Sequence, residues 1–209
     1  IPLDLVRGAV EREVTLTASA PIVWGLDVAR FGGDNSALCV RQGNTVLEIQ
    51  SFASMDLMQL CGVIKNRYDE ATVMEQPQEI LVDVIGIGAG VVDRLREQNL
   101  PVRGVNVSEA PSTKKNYLNL RAELWFSIKD WLAQRDCRLP NDDELVAELA
   151  APLYKYTSTG KIKIESKDEM RKRGIKSPDK ADALALTMAS SAASFSGSES
   201  VFGYNFKKP

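Results

Sequence analysis

Two regimes of apolar patterning divide the chain: short, almost continuous apolar runs in its first half, and wider helical stripes from about residue 110 onward. The first run, Ile22-Val23-Trp24-Gly25-Leu26, closes on Asp27 and predicts a buried strand. A Gly-rich turn at 32–35 leads to a second strand over 37–41, and Gly43-Asn44 turns the chain into a third over 45–50. Connections this short join neighbouring strands only in antiparallel fashion. Residues 55–68 carry apolar side chains at 57, 58, 60, 61, 64 and 68, a helical stripe. A fourth strand follows over 80–84, with Asp83 inside it. Glycines at 86, 88 and 90 then lead into a helix over 91–98, and a fifth strand spans 102–107. Strands added through helical crossovers are parallel to their neighbours. The expected architecture is therefore α/β: a mixed five-stranded sheet, its first three strands antiparallel, with helices on both faces.

The second half is read as helices over 119–134 and 143–149, the first with Leu120, Leu124, Ile128 and Trp131 on one side. Tyr154-Lys155-Tyr156 and Lys161-Ile162-Lys163-Ile164 flank Ser158-Thr159-Gly160 and predict an exposed β-hairpin. Residues 167–176 are expected as a loop. Ser177-Pro178-Asp179 starts a last helix, expected to run to about residue 193. Residues 1–20 read as a linker or a short helix, 21–194 as one domain, and 195–209 as a loose Ser/Gly-rich tail. The chain opens on Ile1 rather than Met, so it is expected to be an excised domain or a processed product, with partner domains attached elsewhere.

Composition narrows the chemistry. The 209 residues are 44% hydrophobic and 26% charged, as in an ordinary globular protein, and no apolar run is long enough to cross a bilayer. There is no histidine, so Ser-His-Asp and Cys-His catalysis are excluded. Cys39, Cys61 and Cys137 form no CxxC pair, which argues against a zinc site or a disulfide framework and for reduced, buried thiols in a cytoplasmic setting. The net charge of −2 does not by itself point to nucleic acid, but residues 161–180 hold eight basic residues against four acidic ones, including Arg171-Lys172-Arg173.

Three aspartates lie in apolar surroundings: Asp27 at a strand end, Asp83 within a strand, and Asp182 in Ala181-Asp182-Ala183-Leu184 near the start of the last helix. A buried carboxylate costs several kcal/mol unless a cation compensates it. No Lys or Arg on those strands offers a partner. Divalent cations would resolve the conflict, since hard oxygen ligands suit Mg2+ or Mn2+, and a pair of such ions can assist phosphodiester hydrolysis without histidine. Asp179 shares a helix face with Asp182 and is either a further ligand or a solvated first-turn acid. On this reading, replacing these acids with asparagine leaves metal-free stability unchanged or improved.

These residues resemble a known family. Gly25-Leu26-Asp27-Val28-Ala29 with Gly33-Asp34-Asn35-Ser36, the strand Val82-Asp83-Val84 with its glycine-rich exit, and Ser177-Pro178-Asp179-Lys180-Ala181-Asp182-Ala183-Leu184 are together similar to the three acidic motifs of the nuclease domain of tailed-phage terminase large subunits, in the same order. The resemblance implies a ribonuclease H-like fold. It implies Asp27, Asp83 and Asp182 as catalytic metal ligands for two Mg2+ or Mn2+ ions, with Asp179 a possible addition and the role of Asp34 open. The implied activity is endonucleolytic cutting of concatemeric double-stranded viral DNA in the host cytoplasm. It also implies partners: an ATPase motor domain, a portal and a small terminase subunit. Some relatives carry histidine where this chain has Asp179, and no GxxxxGK[ST] phosphate loop is present. The resemblance places the hairpin and the following loop beside the site, which makes Lys163, Lys167, Arg171, Lys172, Arg173 and Lys176 candidates for phosphate contact.

Other readings compete. Gly86-x-Gly88-x-Gly90 invites a dinucleotide-binding loop, but the spacing is not GxGxxG and no acidic residue closes the next strand. An actin-like or sugar-kinase fold would need a second such module. A resolvase- or transposase-type nuclease, or a module that only binds DNA or a portal, remains open.

Overall fold

The computed structural model describes residues 1–29 and 35–191. The turn residues Gly32, Gly33 and Asp34, the final stretch of the expected last helix, and the expected tail lie outside the described residues.

Helix α1 (Leu3–Glu11) opens the chain, and the helical alternative for this segment is the one found. Its Val6 and Ala9 are fully buried against the main core, so this helix is part of the packed body. Three strands follow, β1 (Ile22–Asp27), β2 (Ser36–Gln42) and β3 (Thr45–Phe52). Next come α2 (Leu57–Glu70), β4 (Glu79–Asp83), α3 (Gly88–Glu97) and β5 (Val102–Val105). The strands form a single sheet in the order β3-β2-β1-β4-β5, with β1–β2 and β2–β3 antiparallel and β1–β4 and β4–β5 parallel. This is the mixed sheet that the pattern of turns and crossovers implies.

Alternation along the strands sorts side chains to two faces. On one face Ile22, Trp24, Leu26, Leu38, Val40, Ile80 and Val82 pack with Leu60 and Ile64 of α2 and Val91 and Leu95 of α3. On the other, Ala37, Cys39 and Val46 meet α4 (Leu120–Ala133), α5 (Asp143–Ala150) and α7 (Asp179–Thr187). Between α5 and α7 the chain forms the hairpin β6 (Tyr154–Tyr156) and β7 (Ile162–Ile164), then α6 (Lys167–Lys172). That last helix corrects the expectation of a loop over 167–176. Ser166 and Glu169 form a reciprocal capping box there, and Met170 is fully buried, so one short helical turn has both a start signal and an anchor.

Helix α7 lies directly on β1. A side chain at Gly25 would put its Cβ 2.0 Å from the Ala183 carbonyl oxygen, so only glycine permits this approach. Buried Arg41 of β2 fixes the far end of the helix, donating to the Thr187 carbonyl at 2.8 Å and to its hydroxyl at 2.9 Å. The first turns of α7 are thereby held over the C-terminal ends of β1 and β4.

Candidate active site

Each acid arrives at that point for a local reason. Asp27 has the strand parity of Val23 and Gly25, and Asp83 that of Leu81, so both belong to the face covered by α7. Leu26 and Val82 are register partners in the parallel pair β1–β4, so the residues that follow, Asp27 and Asp83, stand side by side at the same sheet end. Gly88 makes this end compact: a Cβ there would lie 1.8 Å from the Asp83 carbonyl oxygen. The first turn of α7 contributes Asp179 and Asp182.

The carboxylates share a cation supplied by α6. The Lys167 ammonium lies 3.0 Å from Asp27 Oδ2, 3.3 Å from Asp179 Oδ1 and 3.5 Å from Asp182 Oδ2. Asp182 also accepts from Arg121 Nη2 at 3.0 Å and from the Trp125 indole Nε1 at 2.8 Å, both on α4. Asp179 accepts from the Ser177 hydroxyl and, at 3.0 Å, from the Asn35 amide. Asp83 makes no ion pair among the described residues and accepts from the Ile85 amide at 3.0 Å. Thus four carboxylates at one sheet end share two cations, Lys167 and Arg121.

Protonation follows from burial first and partners second. Burial pushes Asp27 up to about 7, against the opposing pull of Lys167, and the neighbouring Asp182 and Asp179 push it the same way as burial. Burial also raises Asp83 and Asp179. Burial acts to raise Asp182 as well, but Arg121, Lys167 and the Trp125 hydrogen bond outweigh it, and this carboxyl ends below its ordinary value. Lys167 is held charged: burial would lower it, but Asp27, Asp182 and Asp179 raise it further. Beside the cluster, Glu148 of α5 accepts from the Ala181 amide at 2.9 Å, and burial pushes its carboxyl up to about 8. An open cleft of about 310 Å3 reaches the cluster at Asp179, and its lining includes Asn35, Ser177, Glu144, Glu148, Arg171 and Lys176.

The strands themselves offer these acids no basic partner, as expected, but other elements do. The partners come from α4 and α6, far from the acids in sequence, which is why inspection of the strands and of the last helix's flanks does not reveal them. Lys167, expected as a phosphate contact, directs its ammonium into the acid cluster. The rest of the basic run is exposed or half-buried and partly paired locally: Lys163 with Glu169 at 3.8 Å, Arg171 with Asp168 at 2.8 Å, Arg173 with Glu165 at 2.6 Å. Lys172 and Lys176 make no ion pair among the described residues and are exposed. Sequence reading also misses Trp125 and Glu148. An arginine and a tryptophan at i, i+4 on one helix, Arg121 and Trp125, are the one available signal.

Among the described residues, no three acids stand close enough together to hold a metal ion between them. What they converge on is an ammonium.

No protein-family model matches the sequence, and no curated protein matches it. Solved structures do match in shape. The nuclease domain of the large terminase subunit gp2 of bacterial virus Sf6 superposes with a TM-score of 0.77 at 22% identity, over 91% of this chain and 98% of that one. The chain has the fold of a terminase nuclease domain. A mutant of the same Sf6 domain with manganese and beta-thujaplicinol gives 0.78 at 21% identity, with the same coverage. The large terminase nuclease from thermophilic phage G20c with bound magnesium gives 0.65 at 14% identity, over 90% of this chain and 95% of that one. This ribonuclease H-like fold is the one expected from the motifs.

Proposed function

We propose that this chain is a divalent-metal-dependent endonuclease domain that cuts double-stranded DNA, within the large subunit of a phage DNA-packaging terminase. The observation that carries the reading is the under-neutralised acid cluster: Asp27, Asp83, Asp179 and Asp182 at one sheet end, with Lys167 and Arg121 as their cations. The likeness in fold to the Sf6 and G20c nuclease domains supports it, since structures of both include ones with a bound divalent metal.

The donor set suits magnesium or manganese, being all hard carboxylate oxygen with neither histidine nor thiolate. Asp27, Asp83 and Asp182 would hold the metals, with Asp179 able to join, once the Lys167 ammonium gives up its place and the carboxylates draw closer together. Bound there, two such ions would supply a nucleophilic water at neutral pH and stabilise the leaving oxygen of the phosphodiester. The chain's own residues do the rest. Arg121 and Trp125 fix the rotamer of Asp182, and Ser177 and the Asn35 amide orient Asp179. Lys176 and Arg171, which line the adjoining cleft, would bind backbone phosphates together with exposed Lys172. Lys163, Arg171 and Arg173 would do so by exchanging their carboxylate partners for phosphate. Packaging itself would rest on an ATPase motor domain in the same protein, working with a portal and a small subunit in the host cytoplasm.

A second reading has one observation in its favour: Lys167 occupies the centre of the cluster, as it would in a module that binds DNA or a portal without cutting. Nicking of supercoiled plasmid in manganese, with and without EDTA, separates the two. The nuclease reading expects EDTA-sensitive nicking that falls to background in Asp27→Asn and in Asp182→Asn. Nicking that persists in both variants removes the site, and no nicking by the folded wild-type protein favours the binding module.

A further inference from the structure

Outside the acid site, the hairpin carries an exposed aromatic ladder. Tyr156 and Tyr154, two residues apart on β6, have ring centroids 6.0 Å apart. Tyr154 stands edge-on to Phe126 of α4 at 5.3 Å, and Phe126 meets Tyr117 at 5.5 Å. The inner rings anchor the hairpin to α4. The outer ones remain open to solvent, Tyr154 54% and Tyr156 66% exposed, and Leu153 beside them 56%. Of the two tyrosines Tyr154 meets the α4 ring, whereas Tyr156 meets Tyr154 and extends the ladder outward.

The lysines around this ladder are partly balanced by acids outside it, Lys155 and Lys163 facing Glu169 at 2.9 and 3.8 Å. Segment 116–118 pairs along β7, through the Ile162 amide to the Asn116 carbonyl at 2.8 Å and the Leu118 amide to the Ile162 carbonyl at 2.9 Å. The segments that build this small sheet, 111–118 and 151–164, contain Lys114, Lys115, Lys155, Lys161 and Lys163 and no acidic residue. Lys114, Lys115 and Lys161 make no ion pair among the described residues, and Lys129 lies over the Phe126 ring at 5.5 Å. Exposed aromatic faces near three lysines without an ion pair, Lys114, Lys115 and Lys161, offer what an unpaired nucleic-acid strand requires: rings for its bases and cations for its phosphates. A duplex, whose bases are already stacked on one another, uses only the lysines. A protein partner would gain from the rings but would need acidic residues to match the lysines.

The same two elements reach the acid cluster. Arg121, which holds Asp182, precedes Phe126 on α4 by five residues, about 7.5 Å of helix rise. Its Nη1 also donates at 2.8 Å to the carbonyl of Glu165, between the hairpin and α6. Arg121 thereby ties the acid cluster to the end of the hairpin that carries the ladder.

We infer that the Tyr154–Tyr156 ladder binds single-stranded DNA, stacking bases of the duplex substrate that become unpaired where it is cut. The inference deepens the nuclease reading and rests on it for the identity of the substrate. The test uses the whole chain in EDTA, where no cleavage occurs. Fluorescence anisotropy is read with a labelled oligothymidylate of about 12 nucleotides, within the usual site size of such surfaces, and with a blunt duplex of equal length. The wild type should bind the single strand more tightly than the duplex. Tyr156→Ala should weaken single-strand binding by roughly tenfold while leaving duplex binding unchanged, and Tyr156→Phe should restore it. Tyr154→Ala should act in the same direction. Lys161→Ala should weaken both ligands and flatten the salt dependence. Equal affinity for the two ligands, or a Tyr156→Ala variant that binds the single strand as well as wild type, overturns the inference and leaves the ladder to a protein partner. Nicking of plasmid in manganese is measured on the same preparations. Its absence would count against the nuclease reading while single-strand binding in EDTA still reports on the ladder.

Discussion

The acid cluster and the outer surface of the hairpin and α6 use the same chemistry, carboxylate against ammonium or guanidinium, in opposite surroundings. Asp182 and Arg121 meet at 3.0 Å with side chains only 11% and 15% exposed, and an indole completes the carboxylate's hydrogen bonds. Lys155 and Glu169 meet at 2.9 Å on the surface, with the lysine side chain 63% exposed. Water solvates the second pair whether or not it forms. In the first, loss of one partner strands a charge in the interior. The difference between the regions therefore lies in burial and not in contact distance, and it explains why one can serve as a cation site and the other as a replaceable fringe of charge.

The largest effect should come from breaking the buried pair on one side only. Arg121→Ala is expected to cost about 3–5 kcal/mol in chemical denaturation without metal. Asp182→Asn should also be costly because it leaves Arg121 unpaired. This prediction departs from the expectation, drawn from sequence, that the asparagine variants are unchanged or improved in stability without metal. The double variant should lose less than the two single losses added together, and strict additivity would show that the pair does not matter. Lys167→Ala comes next, at about 2 kcal/mol above neutral pH, and its cost should shrink as pH falls through about 7, where a proton on Asp27 replaces the lost ammonium.

Glu148→Gln should act in the other direction and depend on pH. The folded protein holds this carboxyl protonated up to about 8, above its ordinary 4.5, so wild-type stability falls as pH rises between those values. Glutamine keeps an oxygen for the Ala181 amide without the charge. The variant should therefore gain on the order of 1 kcal/mol over wild type at pH 9 and nothing at pH 4, read as thermal unfolding at both. A gain at pH 4 would assign the effect to packing. The smallest effect belongs to the surface: Lys155→Ala should leave Tm unchanged at any salt concentration, and a clear drop would mean that exposed pairs matter here more than their solvation allows.

Sequence and structure agree best where the physics is local. The apolar runs and tight turns specify β1 to β5 and their directions, because a short connection leaves an antiparallel neighbour as the only choice and a helical crossover makes the parallel one. Asp27, Asp83 and Asp182 stand out because an acid among apolar neighbours is anomalous on its face. Their partners do not. Lys167 and Asp27 are 140 residues apart, and nothing around the lysine separates it from the basic residues that follow it. Helix α6 was hidden for a related reason: six residues of mixed charge have no apolar stripe, and the buried Met170 that anchors it is a single position. The far end of α7 is set by Arg41, a contact between distant segments that a propensity argument, which extended the helix, does not contain.

The central claim is that the acids at the ends of β1, β4 and α7 form a site for divalent cations in which Lys167 stands when none is bound. Thermal unfolding with increasing manganese or magnesium tests it most directly, run on wild type, Lys167→Ala and Lys167→Ala combined with Asp27→Asn. The account predicts that metal raises the Tm of wild type, raises that of Lys167→Ala more and at lower concentration, and has little effect once Asp27 is also replaced. A Lys167→Ala protein that folds but shows no metal-dependent shift would contradict it.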